Sequence, residues 1–308
     1  MQPEVSIVIV NWNGRELLRE CLEALRQIVT EFTFEIFVVD NASTDGSQEM
    51  VRQEFPEVKL IANSNNLGFA KANNQAIRLS RGRYVLLLNS DAFVGENTID
   101  QMIAFMEAHP EAGMAGCKLL NTDGTLQPSC TTFPTLFTEL CIATGLDRLF
   151  PQSTLFGKYQ MTYWDFNDIR EVDSIRGAFM LVRASAIKEV GLMDESYFMY
   201  SEEVDWCYQF KKRGWKIYYY PYAETIHVWG GSVEQVRTKM LVQLYHSQID
   251  FFRKNYGKLS AFFLKLIIGT NCLIRVGPGA LYYLLSHDRW NRQKHQAFWQ
   301  LLRMLPAL

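Results

Sequence analysis

Val5-Ser6-Ile7-Val8-Ile9-Val10-Asn11 is a short β-branched apolar run closed by an amide, and Asn13-Gly14 turns the chain directly after it. A run of this kind reads as a strand buried on both faces. Arg15 to Ile28 follows with Leu17, Leu18, Leu22 and Leu25 at helical spacing. Phe34 to Val39 is a second buried strand, ending at Asp40. Ser43 or Thr44 is placed to cap the helix that runs on through Glu54. Val58 to Ala62 is a third strand. Asn66-Leu67-Gly68 turns into a helix from about Phe69 to Leu79. Tyr84 to Leu88 is a fourth strand, ending at Asn89-Ser90-Asp91. Strand and helix in this alternation predict an α/β domain of parallel strands joined by right-handed crossovers.

Ligands in such sheets bind beyond the carboxyl ends of the strands. Asn11, Asp40 and Asp91 each follow an apolar strand directly, so one sheet edge should gather all three. A single polar residue after a strand is ordinary loop chemistry. Three together, two of them acidic, predict a site.

Farther along the pattern loosens. Asn121-Thr122-Asp123-Gly124 reads as a hairpin turn. The aromatic stretch from Phe133 to Tyr163 is either a mobile acceptor-facing region or a packed loop. Val172 to Val182 resumes a strand pattern, interrupted by Arg176-Gly177-Ala178. Ala184 to Val190 is a short helix stopped by Gly191. A helix opens in Phe198-Met199-Tyr200-Ser201-Glu202-Glu203-Val204-Asp205-Trp206 and runs to Arg213. Lys216 to Tyr220 is a strand, followed by the polar loop His227-Val228-Trp229-Gly230-Gly231-Ser232.

Three groups of residues can carry chemistry. Asn89-Ser90-Asp91 can hold a metal-bound diphosphate, because a hard cation takes one or two carboxylates and completes its shell with phosphate and water. The Asp40 carboxylate can accept hydrogen bonds from a base N–H or a ribose hydroxyl. Glu202, Glu203 and Asp205 crowd three carboxylates at a helix start flanked by Tyr200 and Trp206. Mutual repulsion and partial burial raise a carboxyl pKa, which suits a general base working on a sugar hydroxyl. An acidic first turn favoured by the helix dipole is the competing explanation. His227 can ligate a metal as neutral imidazole, although a buried structural histidine is the commoner case.

These motifs, in this order and spacing from about Val5 to Ser232, resemble the family 2 glycosyltransferases of the GT-A fold, and within them bacterial rhamnosyltransferases of cell-surface polysaccharide synthesis. The resemblance implies a Rossmann-like nucleotide-diphospho-sugar transferase domain with a central, mostly parallel sheet over residues 1–236. It implies that Val10, Asn11, Asn13, Asp40, Ser43, Asn66, Gly68, Lys71, Asn89 and Ser90 bind the nucleotide donor. Asp91 would bind Mg²⁺ or Mn²⁺ on the diphosphate, with His227 as second ligand. Arg176, Gly177, Ala178 and Trp206 would line the sugar and acceptor pocket. Glu203 stands at the base position, where the family more often has Asp after Glu, and Glu202 remains the alternative. Asn89 replaces the first acid of the usual D-x-D. The implied reaction is an inverting transfer, with dTDP-rhamnose the expected donor and a glycan or polyprenyl-linked acceptor.

Other classes fit less well. A nucleotidyltransferase would carry a Gly-rich, Arg- and Lys-bearing loop after the first strand, and Val10-Asn11-Trp12-Asn13-Gly14 is not one. No G-x-G-x-x-G follows that strand, which disfavours NAD chemistry. A non-catalytic sugar-nucleotide-binding subunit would not need Asp91 and Glu203 intact. A transferase using a UDP- or GDP-sugar stays open.

The 308 residues carry a net charge of −2, and no nucleic-acid partner is expected. Residues 237–308 hold eleven Lys/Arg against two Asp, a surplus of nine positive charges, so the preceding part carries −11. An acidic catalytic part suits a cation, and a basic extension suits an anionic membrane surface. Leu259 to Leu285 is apolar but includes Lys265, Arg275 and Pro278, which argues for an interfacial rather than a spanning segment. The alternative is a helical hairpin packed on the catalytic domain or on a second subunit, as in a homodimer. Six scattered cysteines form neither a zinc cluster nor a disulfide framework. The amino-terminal residues show no secretory pattern, so the expected location is cytoplasmic, on the inner face of the cell membrane.

Overall fold

The structure is a computed structural model that describes residues 2–228, 237–277 and 289–306. Trp229-Gly230-Gly231-Ser232, the stretch from Pro278 to Leu285, and the side chains of Arg289 and Arg292 lie outside the described residues. The chain forms two compact units. One comprises Met1–Phe133, Asp165–Phe198 and Glu202–Ser232. The other comprises Pro134–Trp164, Met199–Ser201 and Val233–Leu308.

The first unit begins with β1 (Val5–Asn11), α1 (Arg15–Gln27), β2 (Phe34–Asp40), α2 (Ser47–Glu54), β3 (Lys59–Ala62), α3 (Phe69–Leu79) and β4 (Tyr84–Asn89). Next come β5 (Ala92–Val94), α4 (Thr98–Ala108), β6 (Ala112–Leu120), β7 (Leu126–Gln127) and β8 (Cys130–Thr131). Two helices of the second unit intervene, α5 (Leu136–Thr144) and α6 (Leu146–Leu149). The first unit resumes with β9 (Arg170–Glu171), β10 (Ser174–Ile175), β11 (Phe179–Arg183), α7 (Ala184–Val190), α8 (Glu202–Lys212) and β12 (Lys216–His227).

The central sheet runs β3-β2-β1-β4-β11-β6-β12-β5. β1 pairs in parallel with β2 and β4, β2 with β3, and β6 with β12. Only β11 and β5 run against the others on this path. The apolar runs are buried on both faces: Val5, Ile7, Val8 and Ile9 are fully inaccessible, as are Leu86 and Leu87. α1 turns Leu18, Cys21, Leu22 and Leu25 into the same core.

Several local expectations change. α2 starts at Ser47 behind Gly46, which is left-handed at φ 84°, so neither Ser43 nor Thr44 caps it. Asp45 takes the Ser47 N–H instead, at 3.1 Å. The strand from Lys216 does not stop at Tyr220. It passes Pro221 with a register irregularity between Tyr220 and Glu224 and continues to His227. Proline is tolerated at such an irregularity because no ladder N–H is needed there. His227 therefore ends a strand and pairs with Ala92 of β5 rather than sitting in a loop. The stretch from Phe133 to Tyr163 holds α5, whose Thr135 and Thr138 form a reciprocal capping box.

The second unit adds α9 (Arg237–Tyr256), α10 (Lys258–Val276) and α11 (Arg289–Met304) to α5 and α6. α10 packs on α5, α9 and α11. By length and composition α10 is apolar enough to cross a membrane, with a mean hydropathy of 1.6.

Candidate active site

Strand register assembles the site. In the parallel pairing Asn11 lies beside Asp40, and Val10 beside Asn89, so three polar strand ends share the carboxyl edge of the sheet. Asp40 is 1% exposed and organises the loops around it. Its Oδ2 accepts from Asn11 Nδ2 at 3.0 Å, and its Oδ1 from Ser43 N–H at 2.9 Å and Gln48 Nε2 at 2.8 Å. A carboxylate has about four acceptor positions, so Asp40 retains capacity for one more donor. Ser43 Oγ accepts from Asn11 Nδ2 at 3.2 Å and from Asn13 N–H at 2.9 Å. Asn13 Oδ1 in turn accepts from Thr44 N–H at 2.8 Å. The Asn11 amide has spent its donor on Asp40 and Ser43, which leaves its fully buried Oδ1 without a partner. Such an orphaned acceptor costs stability unless a ligand N–H or a water meets it.

Asn41 ties this loop to the next. Its Nδ2 donates to Gly68 O at 3.1 Å, while its Oδ1 accepts from Asn63 Nδ2 at 3.1 Å. Asn66 Oδ1 accepts the Gly68 N–H at 2.9 Å, an Asx turn that launches α3. Gly68 sits at φ 80°, and a Cβ there would lie 2.0 Å from the Phe198 carbonyl oxygen. Phe69 N–H donates to that same oxygen at 2.8 Å. Gly68→Ala is expected to cost about 2–4 kcal/mol, combining backbone strain with a clash against main chain, and thermal denaturation reads it as a lowered Tm. Lys71 is exposed in the first turn of α3.

The end of β4 holds a second network. His227 Nδ1 donates to Gln127 Oε1 at 2.6 Å. The Gln127 amide is fixed in that sense, because its Nε2 donates to His227 O at 3.1 Å and to Asn121 Oδ1 at 2.8 Å. The neutral imidazole then keeps its proton on Nδ1 and offers a bare Nε2, which lies 3.3 Å from Asp91 Oδ1 and 3.2 Å from Asn89 Nδ2. Asp91 is 7% exposed, and Ser90 beside it is buried. Two ligands held near 2.1 Å at a right angle on one cation stand about 3 Å apart. The Asp91–His227 spacing fits a divalent ion, and the hydrogen bond to Gln127 is the outer-shell support that metal-binding imidazoles require. Among the described residues no third His, Cys, Asp or Glu joins this pair.

The segment Arg176-Gly177-Ala178 reaches the same edge through β11. Phe179 pairs with Leu88, and Ala178 O accepts the Asn89 N–H at 3.1 Å. Gly177 keeps Phe69 close, since a Cβ would meet its ring at 3.1 Å.

α8 begins directly after Tyr200 and Ser201, both left-handed at φ 67° and 66°. Glu202 is 3% exposed and Glu203 is half-buried, and each has an Oε2 that is inaccessible and unpartnered. Burial pushes both carboxyls above the ordinary glutamate range, Glu202 well above it, with the neighbouring Glu203 charge adding to the shift. Arg176 acts on Glu203 in the opposite sense and favours its carboxylate. Of the pair, Glu203 is therefore the member that ionises first. Asp205 is buried in the same first turn, with Gln209 Nε2 at 3.5 Å. Trp206 is 1% exposed, packs edge-on against Phe210, and donates its indole N–H to Gly191 O at 2.9 Å. It lies in the core, with its polar group already used.

Arg176→Met is expected to move the acid limb of the activity profile to higher pH. Removing the cation takes away stabilisation of the Glu203 carboxylate, so the pKa rises further. A limb that stayed in place would detach Arg176 from Glu203.

The sequence profile of glycosyl transferase family 2 matches residues 6–169, more than half of the chain. An N-acetylglucosaminyl-diphospho-decaprenol L-rhamnosyltransferase of Mycobacterium tuberculosis is 30% identical over 238 residues, 74% of this chain and 76% of that one. The chain belongs to glycosyl transferase family 2. The transferase is also 25% identical over 267 residues to a low-salt glycan biosynthesis hexosyltransferase of Haloferax volcanii, spanning 85% of this chain and 78% of the relative. Among solved structures it resembles a mannosyltransferase of Pyrobaculum calidifontis in complex with GDP-Man and Mn²⁺. The TM-score is 0.54 at 16% identity, over all of this chain and 87% of the other. GalNAc-T7 with UDP, GalNAc and Mn²⁺ gives a TM-score of 0.59 at 12% identity, over 99% and 56%. The fold of the transferase is GT-A.

Gln127 and Asn121 had no signal in the sequence as site residues. Gln127 lies on a two-residue strand in a segment without periodicity, and only the fold brings it to His227. An open cleft lined by Gln2, Thr33, Glu35, Lys59 and Arg81 lies at the opposite, amino-terminal edge of the sheet and contains none of these residues.

Proposed function

We propose that this glycosyltransferase is inverting and metal-dependent. Its donor is dTDP-rhamnose, and its acceptor is a hydroxyl of a polyprenyl-linked or cell-surface glycan. The observation that carries the reading is the sheet edge where a buried, unpartnered acceptor, Asn11 Oδ1, closes β1 and an Asp91–His227 pair at cation-ligand spacing lies at the ends of β4 and β12. Asn11, Asp40, Ser43 and Asn66 would receive the nucleoside, with Val10, Asn13, Gly68, Lys71, Asn89 and Ser90 around the donor. Asp91 and His227 would hold Mg²⁺ or Mn²⁺, which when bound offsets negative charge on the departing diphosphate. Rhamnose and the lipid-linked acceptor are supported by the name of the Mycobacterium tuberculosis relative.

Glu203 takes the proton of the acceptor hydroxyl through its carboxylate. The oxygen forms its bond to C1 of the sugar as the C1–O bond to phosphate breaks on the opposite face, and the nucleoside diphosphate leaves with the electron pair. Glu202 stays protonated beside it, so the pair carries one charge rather than two. Arg176, Gly177 and Ala178 shape the pocket that aligns the two substrates, which lowers the entropic part of the barrier. Trp206, packed in the core three residues after Glu203, anchors the start of α8, and Asp205 completes the acidic turn. The basic extension holds the enzyme on the inner face of the membrane, where a lipid-linked acceptor is presented.

A thermal-shift panel of dTDP-, UDP- and GDP-sugars, with and without Mg²⁺ or Mn²⁺, tests the donor. A metal-dependent rise in Tm for dTDP-rhamnose alone supports the reading. A rise for a UDP- or GDP-sugar instead replaces the donor. No rise for any nucleotide removes the donor site.

A further inference from the structure

We propose that the outward face of α10 is a membrane-docking surface that lies flat in the headgroup–acyl boundary of an anionic bilayer. The inference deepens the proposed work on a lipid-linked acceptor and rests on that reading for its purpose.

The helix is apolar on both sides. Ala261, Leu264, Ile268, Cys272 and Val276 form its buried face. The opposite face is formed by Leu259, Phe262, Phe263, Leu266, Leu273 and Ile274, which are 45–70% exposed. At 100° per residue these six fall within one stripe about 120° wide, together with exposed Thr270 and no charge. The stripe runs for about 22 Å along the helix. A helix packed on a soluble domain turns polar residues outward, so a charge-free apolar stripe of this length needs an apolar neighbour.

Charge identifies the neighbour. Between Asp250 and Asp288 the chain has no carboxylate, yet it carries Arg253, Lys254, Lys258, Lys265 and Arg275. Arg253 and Lys254 lie in the last turn of α9, Arg253 paired with Asp250 at 2.7 Å, and Lys258 opens α10 directly before Leu259. Lys258 is exposed at the amino-terminal end of the stripe, whereas Lys265 lies on the side of the helix nearer its buried face. An apolar stripe with Lys258 exposed at its amino-terminal end and no carboxylate anywhere on α10 matches acyl chains beneath anionic headgroups. Insertion across the bilayer is disfavoured because α10 is packed on α9 and α11. Those helices bear Lys239, Asp250, Arg253, Lys254, Lys294 and Arg303, which a spanning arrangement would draw into hydrocarbon.

The test is flotation of the full chain with vesicles of phosphatidylglycerol and phosphatidylcholine, against phosphatidylcholine alone. The wild type is expected to float at least tenfold better with the anionic vesicles and to be released by salt or alkaline carbonate. Phe263→Glu with Leu266→Glu is expected to lose that binding at least tenfold, as is Lys258→Glu. Both variants should keep the wild-type far-UV spectrum and the Tm rise with Mn²⁺ and nucleotide, so loss of docking is read separately from failure of the donor site. Equal flotation on both vesicles, no flotation, or retention through carbonate overturns the proposal. So does a wild-type dimer that Phe263→Glu with Leu266→Glu splits without any vesicle binding, which would assign the stripe to a second copy.

Discussion

Glu203→Gln is expected to lower kcat about 10²–10⁴-fold while leaving donor affinity unchanged. The amide keeps the size and hydrogen-bonding reach of the side chain but cannot accept the acceptor's proton. The neighbouring substitution is the control. Glu202 is pushed further up by burial and by the Glu203 charge, so it holds its proton while Glu203 ionises. Glu202→Gln preserves that neutrality and is expected to retain most of the activity. The two carboxyls, adjacent in sequence and equal in chemistry, thus separate by environment: one is 3% exposed, and the other is half-open and faces the field of Arg176. The pH dependence has a defined sign. With Glu203 as the proposed base, activity would need its carboxylate, and its pKa is raised, so the acid limb should lie above the ordinary glutamate range and activity should fall as pH drops through it. Stability changes oppositely. Carboxyls raised in the folded state bind protons that the unfolded chain releases, so their contribution weakens as pH rises from the unfolded pKa to the folded one. Single-turnover rates against pH for the three proteins decide the assignment. Full activity in Glu203→Gln with loss in Glu202→Gln would reverse it.

The first half of the catalytic unit was legible because β1, β2 and β4 are buried on both faces, leaving an uninterrupted apolar run ended by a polar residue. β1, β2 and β4 close at Asn11, Asp40 and Asn89, within a residue of where the apolar pattern breaks. α3 occupies Phe69–Leu79 as its periodicity predicts. Legibility ended where tertiary context overrides local signals. Pro221 reads as the end of a strand, yet β12 continues past it to His227, because the parallel partner β6 resumes pairing at Glu224. β11 runs against its neighbours, and no local pattern encodes strand direction.

The site was legible in its residues more than in their partners. Asp40 reads as a carboxylate open to a ligand, but three donors of the protein already reach it, and the unpartnered acceptor is Asn11 Oδ1. Trp206, beside the acidic turn in sequence, is 1% exposed and spends its indole N–H on Gly191 O, so it packs in the core rather than lining an open pocket. The partner of His227 is 100 residues away in the chain, a separation at which spacing carries no information.

Asp91→Ala is expected to abolish the metal-dependent part of nucleotide binding. The variant removes the carboxylate that stands beside His227 Nε2, the one such group among the described residues, and leaves an imidazole, which binds a hard cation weakly. Mn²⁺ titration followed by electron paramagnetic resonance, without nucleotide and without turnover, separates this loss from any effect on chemistry. Gln127→Leu supplies the graded case. Gln127 touches no ligand in this reading but holds the proton on His227 Nδ1. Its loss frees the ring to rotate and to protonate Nε2, and a drop of about 10–100-fold in Mn²⁺ affinity is expected with both ligands intact. The order of affinities should be wild type, then Gln127→Leu, then Asp91→Ala. Added nucleoside diphosphate should restore part of the gap in Gln127→Leu, because phosphate oxygens complete the shell, and little in Asp91→Ala. Wild-type Mn²⁺ affinity in Asp91→Ala would place the cation elsewhere. An unchanged affinity in Gln127→Leu would leave Asp91 in place and remove His227 from the coordination sphere, since a ligand whose tautomer is no longer fixed cannot hold its contribution.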